Sequence, residues 1–150
     1  MSCHHDSAAA LRRAGYKATP QRVMVASALR HAGGHRTASE IADEVRGENP
    51  AVDVSTVYRT LDMLTRSRLA TATNMGTGDT VFEWSVGDES HHHLICVHCG
   101  PVAEVPHEYL HGIETAIETD FDFAPDLSHF AIFGVCGPCQ ARVEAEAEAG

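Results

Sequence analysis

Two cysteine pairs, Cys96-x-x-Cys99 and Cys136-x-x-Cys139, constrain this chain more than anything else in it. Each pair puts two thiols on one tight turn. Two such knuckles flanking a segment with a helix and a strand offer zinc a tetrahedral sulfur cage, provided the fold brings the turns together. The plainer alternative is four buried cysteines with no metal. Directly before the first knuckle runs His91-His92-His93-Leu94-Ile95, which sets two imidazoles, His91 and His93, two residues apart.

A chain of 150 residues makes one ordinary domain or two small ones, and small ones have thin cores that a metal or a second copy must support. It has no 18-residue apolar run and no basic-plus-apolar leader, so the expectation is a cytoplasmic protein that does not enter membranes. Five cysteines in a reducing compartment point to metal sooner than to disulfides. The odd one, Cys3, stands with His4 and His5 at a terminus expected to fray, where stray metal is the most they would capture.

The net charge of −10 argues against nucleic acid until it is divided along the chain. Residues 1 to 84 carry ten Lys and Arg against nine Asp and Glu, and residues 85 to 150 carry one against twelve. The near-neutral first part, with clustered arginines, can approach DNA; the acidic second part suits cations or solubility.

The first part reads as helices. An Ala-rich stretch over 7 to 14 stops at Gly15, Thr19 before Pro20 opens a second helix reaching about Ala32, and Thr37 with Glu40 has capping-box spacing for a third, closed by Gly47 and Pro50. A fourth begins near Ser55, with Val57, Leu61 and Leu64 on one face and Thr56, Tyr58, Arg59 and Arg66 on others. Runs 69 to 74 and 80 to 86 then flank a glycine-bearing turn, a β-hairpin signal. Helices followed by a hairpin make a winged helix-turn-helix, whose last helix enters the major groove. The second part reads strand (Leu94 to Val97), strand (Val102 to Val105), helix (about His107 to Thr119) and strand (about His129 to Val135), with a polar tail either helical or disordered. One helix cannot cover both faces of such a sheet, so a second copy is expected against it. The fold class is therefore α+β, an N-terminal winged-helix domain over 1–84 and a small α+β dimerisation domain over 85–150.

Other chemistries leave traces. Cys136-Gly137-Pro138-Cys139 spells a thiol-oxidoreductase motif, but only eleven residues follow it and no Trp precedes it. A zinc deaminase needs a Glu two residues after a His, which no His here has. His107-Glu108-Tyr109-Leu110-His111 matches H-E-x-x-H on an expected helix, and we read it as coincidence, lacking a third ligand and a cleft. A metalloenzyme or thiol oxidoreductase stays as the second reading.

The segments TPQR (19–22), STVYRTL (55–61), TVFE (80–83), HHHLICVHCG (91–100) and the last C-x-x-C, in this order, resemble the ferric uptake regulator family of metal-sensing repressors. The resemblance runs from about Leu11 to Gln140. It implies a homodimer that binds double-stranded DNA at an inverted-repeat, AT-rich operator, with a hinge after Glu83 and structural Zn(2+) on Cys96, Cys99, Cys136 and Cys139. It implies a regulatory divalent metal between the domains on His35, Glu83, His91, His93 and Glu104, a set that suits Fe(2+), Mn(2+) or Zn(2+). DNA contacts fall on Lys17, Arg22, Ser55, Thr56, Tyr58 and Arg59.

The chain also departs from the family pattern. Thr71 and Ser85 stand where the zinc-sensing branch tends to have an Asp and a hinge Cys, and the peroxide-sensing branch favours Asp where Glu83 and Glu104 stand, which leaves iron as the favoured ion. A further family site on the dimerisation domain would need ligands at Ser90 and Ser128, so only a weak site on His92 and His111, with His129 as a third, is expected there.

Overall fold

The computed structural model describes residues 3–76, 78–85, 91–127 and 130–149. Thr77, Val86, Ser90, Ser128 and His129, which entered the readings above, lie outside the described residues. The chain divides into two compact units, Met1–Ala72 with Thr80–Gly87 and Thr73–Asp79 with Asp88–Gly150.

The first unit is built on α1 (Cys3–Arg13), α2 (Pro20–Ala32), α3 (Ala38–Glu48) and α4 (Val54–Arg66). The terminus expected to fray is helical from Cys3, and the first helix starts four residues earlier than its alanines announced, with Asp6 paired to Arg30 at 3.6 Å. Gly15 ends the turn that follows, at φ 85. The caps of α2 and α3 fall where the sequence put them: Thr19 accepts from the Arg22 N–H, and Thr37 and Glu40 form the reciprocal capping box. Helix α3 runs through Gly47 and ends at Glu48. Helix α4 has its cap at Asp53, whose carboxylate accepts the Ser55 N–H at 2.7 Å. Leu11, Val25, Leu29, Ile41, Val45, Val57, Leu61 and Leu64 fill the core between these helices.

Strands β1 (Arg36–Thr37), β2 (Ala70–Asn74) and β3 (Thr80–Trp84) form a sheet in the order β1-β3-β2. The two-residue β1 was not expected. It pairs antiparallel with β3, Arg36 opposite Phe82 and Thr37 opposite Val81. Helices with this appended sheet are a winged helix.

The second unit carries β4 (His91–Cys96), β5 (Gly100–Pro106), α5 (His111–Phe121), β6 (Phe130–Gly134) and α6 (Gly137–Glu148). Its sheet order is β5-β4-β6, antiparallel to β5 and parallel to β6. Strand β4 starts three residues before the apolar run that signalled it, so all three histidines lie on the strand. The polar tail is helical through Glu148. In the same unit Gly76 has φ 80, the left-handed region that favours glycine, and a Cβ there would lie 3.0 Å from the Phe133 ring, which would have to shift. Among the described residues no helix is long and apolar enough to cross a membrane.

Candidate metal centres and nucleic-acid surface

Parallel pairing of β4 with β6 sets Cys96 beside Gly134, so both knuckles follow the same end of neighbouring strands. The sulfurs of Cys96, Cys99, Cys136 and Cys139 all lie within 4.8 Å of one another, with Cys99 and Cys136 at 3.6 Å. The Cys136 N–H donates to the Cys96 sulfur at 3.4 Å and the His98 N–H at 3.5 Å. These donors, that of Cys136 foremost, bring the Cys96 thiol down to about 5 against the opposing effect of burial. Cys99 is pushed up to about 12 by hydrogen bonding to its sibling thiols, Cys136 first, and Cys139 is raised for the same first reason. A thiol pulled down beside two that are pushed up is a cluster that a cation would complete by displacing protons from sulfur. Four converging sulfurs fit zinc. The Cys136–Cys139 motif does stand between a strand and a helix, as a redox pair would, but Cys136 faces Cys99 across the cage.

Each unit also holds a pair of the residues expected to bind the regulatory ion. In the first, the register of β1 on β3 carries His35, just before β1, to Glu83, and His35 Nε2 lies 3.5 Å from Glu83 Oε2. In the second, His91 and His93 share one face of β4, with ring centroids 5.0 Å apart and edge to face. His93 is only 3% exposed. Glu104 is its partner across the β4–β5 ladder, but the Glu104 side chain is exposed.

His92 points to the opposite face and is fully buried. Its Nε2 lies 3.0 Å from His107 Nδ1, and His107 Nε2 lies 3.2 Å from Glu114 Oε2. Burial first, then the neighbouring charges of His107, His91 and His93, lowers the His92 pKa. The H-E-x-x-H segment does not lie on one helix: His107–Tyr109 is a 3-10 turn, and α5 starts at His111. The expected pairing of His92 with His111 is not made, since His111 Nδ1 faces Glu114 at 3.6 Å. Nothing in the sequence pattern singled out His107 and Glu114 as partners of His92; only their ability to carry ligands could have flagged them.

On α4, Val57, Thr60, Leu61 and Leu64 face the core. Ser55 and Arg59 are exposed, Tyr58 is 51% exposed and Thr56 is half-buried. Arg66 is engaged by Asp62 at 2.6 Å. Lys17 is exposed ahead of α2, and its carbonyl accepts from Arg22 Nη1 at 3.2 Å. Arg59 and Arg46 stand close enough to the Asp53 cap to help lower its pKa, after the Ser55 hydrogen bonds that dominate.

A sequence profile described as the ferric uptake regulator family matches residues 13–130. The chain belongs to the ferric uptake regulator family. It is 31% identical to the ferric uptake regulation protein of Bacillus subtilis, over 88% of this chain and 91% of that protein. It is 30% identical to the peroxide-responsive repressor PerR of Staphylococcus aureus, over 91% of each. The ferric uptake regulator of Pseudomonas aeruginosa, solved with manganese, superposes with a TM-score of 0.68 at 25% identity, covering 91% of this chain and 99% of that one. Ferric uptake regulators are metal-responsive transcription regulators, so this chain is a regulator and not an enzyme, and the metalloenzyme and oxidoreductase reading falls.

Proposed function

We propose that this regulator represses transcription from an AT-rich inverted repeat as a cytoplasmic homodimer, and that a divalent ion held by His35, Glu83, His91, His93 and Glu104 turns it on. Iron is the favoured ion, manganese and zinc the alternatives, and a structural zinc sits on Cys96, Cys99, Cys136 and Cys139. The first unit is the DNA-binding domain and the second the dimerisation domain. The observation that carries this reading is that each unit prepares its own imidazole pair or imidazole–carboxylate pair: His35 with Glu83, and His91 with His93. An ion that draws on both pairs couples metal to domain arrangement, and so to DNA affinity. Exposed Tyr58 and Arg59 near the start of α4 support base contacts in the major groove, Tyr58 against thymine methyls and Arg59 on guanine or phosphate, with Ser55 and Thr56 beside them. Lys17 and Arg22 would contact backbone.

The test is a salt titration of binding to an AT-rich inverted repeat and to random DNA, with and without Fe(II), Mn(II) or Zn(II). Metal should favour the repeat. Arg59→Ala should lower that preference, whereas Lys17→Ala should weaken both DNAs alike and reduce the salt slope by about 1. Equal affinity of the wild-type protein for the two DNAs in every metal would sink the repressor reading.

A further inference from the structure

We propose, resting on the reading of the cysteine cage as a zinc site, that Arg142 is a positioning residue of that cage: its guanidinium offsets charge on the zinc-bound Cys139 sulfur and so holds the ion against loss. Arg142 Nη2 donates to Cys139 Sγ at 3.6 Å. In the sequence it is the only Lys or Arg between residues 85 and 150, a stretch with twelve Asp and Glu. Glu146 stands one turn further along α6, at the i+4 spacing at which opposite charges pair, yet the guanidinium turns to the sulfur.

The burial of the four sulfurs explains why. Cys96 and Cys139 are 3% and 5% exposed, whereas Cys99 is exposed and Cys136 half-buried. Zinc on four thiolates leaves about two negative charges on the cage, and water reaches them at Cys99 and Cys136. A buried anionic sulfur needs its donor from the protein. Cys96 has the backbone N–H groups of Cys136 and His98, and Cys139 has Arg142. The two sulfurs closed to water are thus the two that receive protein donors. Helix α6 supplies the placement: Cys136 caps it, Cys139 lies in its first turn, and Arg142 follows three residues later on the same face. Groups that hydrogen-bond a metal ligand from outside contribute to metal affinity, and a guanidinium keeps its charge throughout the pH range of a folded protein.

The test compares zinc-loaded, full-length wild-type protein with Arg142→Gln and Arg142→Lys in the absence of DNA, so the result is independent of the repressor reading. Gln is close to Arg in helix propensity, which leaves α6 in place, and circular dichroism checks the fold. Zinc per chain is measured after dialysis, and the ion is then competed away with a chromophoric zinc chelator. We expect about one zinc per wild-type chain, a zinc affinity about 10- to 100-fold lower in Arg142→Gln, and recovery of most of that loss in Arg142→Lys, which restores the charge. The gap between wild type and Arg142→Gln should narrow as salt is raised from about 0.01 M to about 1 M, whereas a loss through packing alone would stay constant. Wild type that holds no zinc overturns the cage reading and this proposal together. Wild type that holds zinc overturns this proposal alone if Arg142→Gln binds it equally well, if Arg142→Lys is no better than Arg142→Gln, or if salt leaves the gap unchanged.

Discussion

His93 and Glu104 share a position across the β4–β5 ladder, yet their environments differ. The imidazole is almost fully buried against His91, and the carboxylate is in solvent. A buried, pre-positioned ligand contributes more than one that an ion must recruit from water. His93→Ala should therefore remove the whole metal stimulation of DNA binding, on the order of 5- to 150-fold, and Glu104→Ala a smaller part of it. The check is the ratio of DNA affinities with and without metal for each variant. Equal losses would mean that the exposed Glu104 carboxylate holds the ion as firmly as the buried His93 imidazole. These residues could be named as candidates because the motif order resembles that of a family. Their unequal burial was not legible, because no local pattern separates two polar residues that face each other across a ladder.

At the scale of elements, the caps were the most readable feature, since Thr19 and Thr37 act through neighbours three residues away. Asp53 was missed as a cap because the start of α4 was set near Ser55, one residue inside the helix that begins at Val54. Strand β4 was read too short because three consecutive histidines show no alternation; His92 finds His107, and His91 and His93 find each other. The single helix expected from His107 breaks because Leu110 turns inward, its N–H bonded to the His107 carbonyl at 2.8 Å.

The caps carry a pH signature. The Asp53 carboxyl is held below its usual range, first by its hydrogen bonds with Ser55, and Glu40 is held low by Thr37. The folded form thus binds fewer protons than the unfolded one. Their stabilisation is complete above the ordinary carboxylate pKa of about 4 and disappears as pH falls through the lower folded values. Asp53→Asn keeps a capping oxygen without a charge to titrate. The difference in thermal midpoint between wild type and Asp53→Asn should shift against wild type as pH is lowered from about 6 to about 3. A constant difference would mean that the cap works without its charge.

For the molecule as a whole, the first unit has a filled core and the second does not. Helix α5 has no buried residue, and Val102, Ile113, Phe130 and Phe133 are exposed along with Phe121, at 75%. So much uncovered apolar surface on one small unit fits a second copy better than solvent. Ile113→Asp with Phe121→Asp should yield a monomer in sedimentation experiments while zinc stays bound, since neither residue is one of the four cysteines of the cage. A dimer of unchanged stability would place the interface elsewhere. The need for a partner was legible as one helix set against a three-stranded sheet, but which side chains remain uncovered depends on the tertiary packing of α5.

Arg30 ties the first unit together in a way that reaches beyond stability. Its guanidinium pairs with Asp6 and lies 6.0 Å from the centroid of Trp84, the chain's single tryptophan and the residue after Glu83. The protein thus carries an intrinsic fluorophore adjoining one prospective ligand. Emission from this indole should change as Fe(II) or Mn(II) is titrated in and level off at one ion per chain, and Glu83→Gln should flatten that curve while Arg30→Ala shifts only its starting intensity. Metal occupancy could then be followed in unlabelled protein, in real time, before any operator is known.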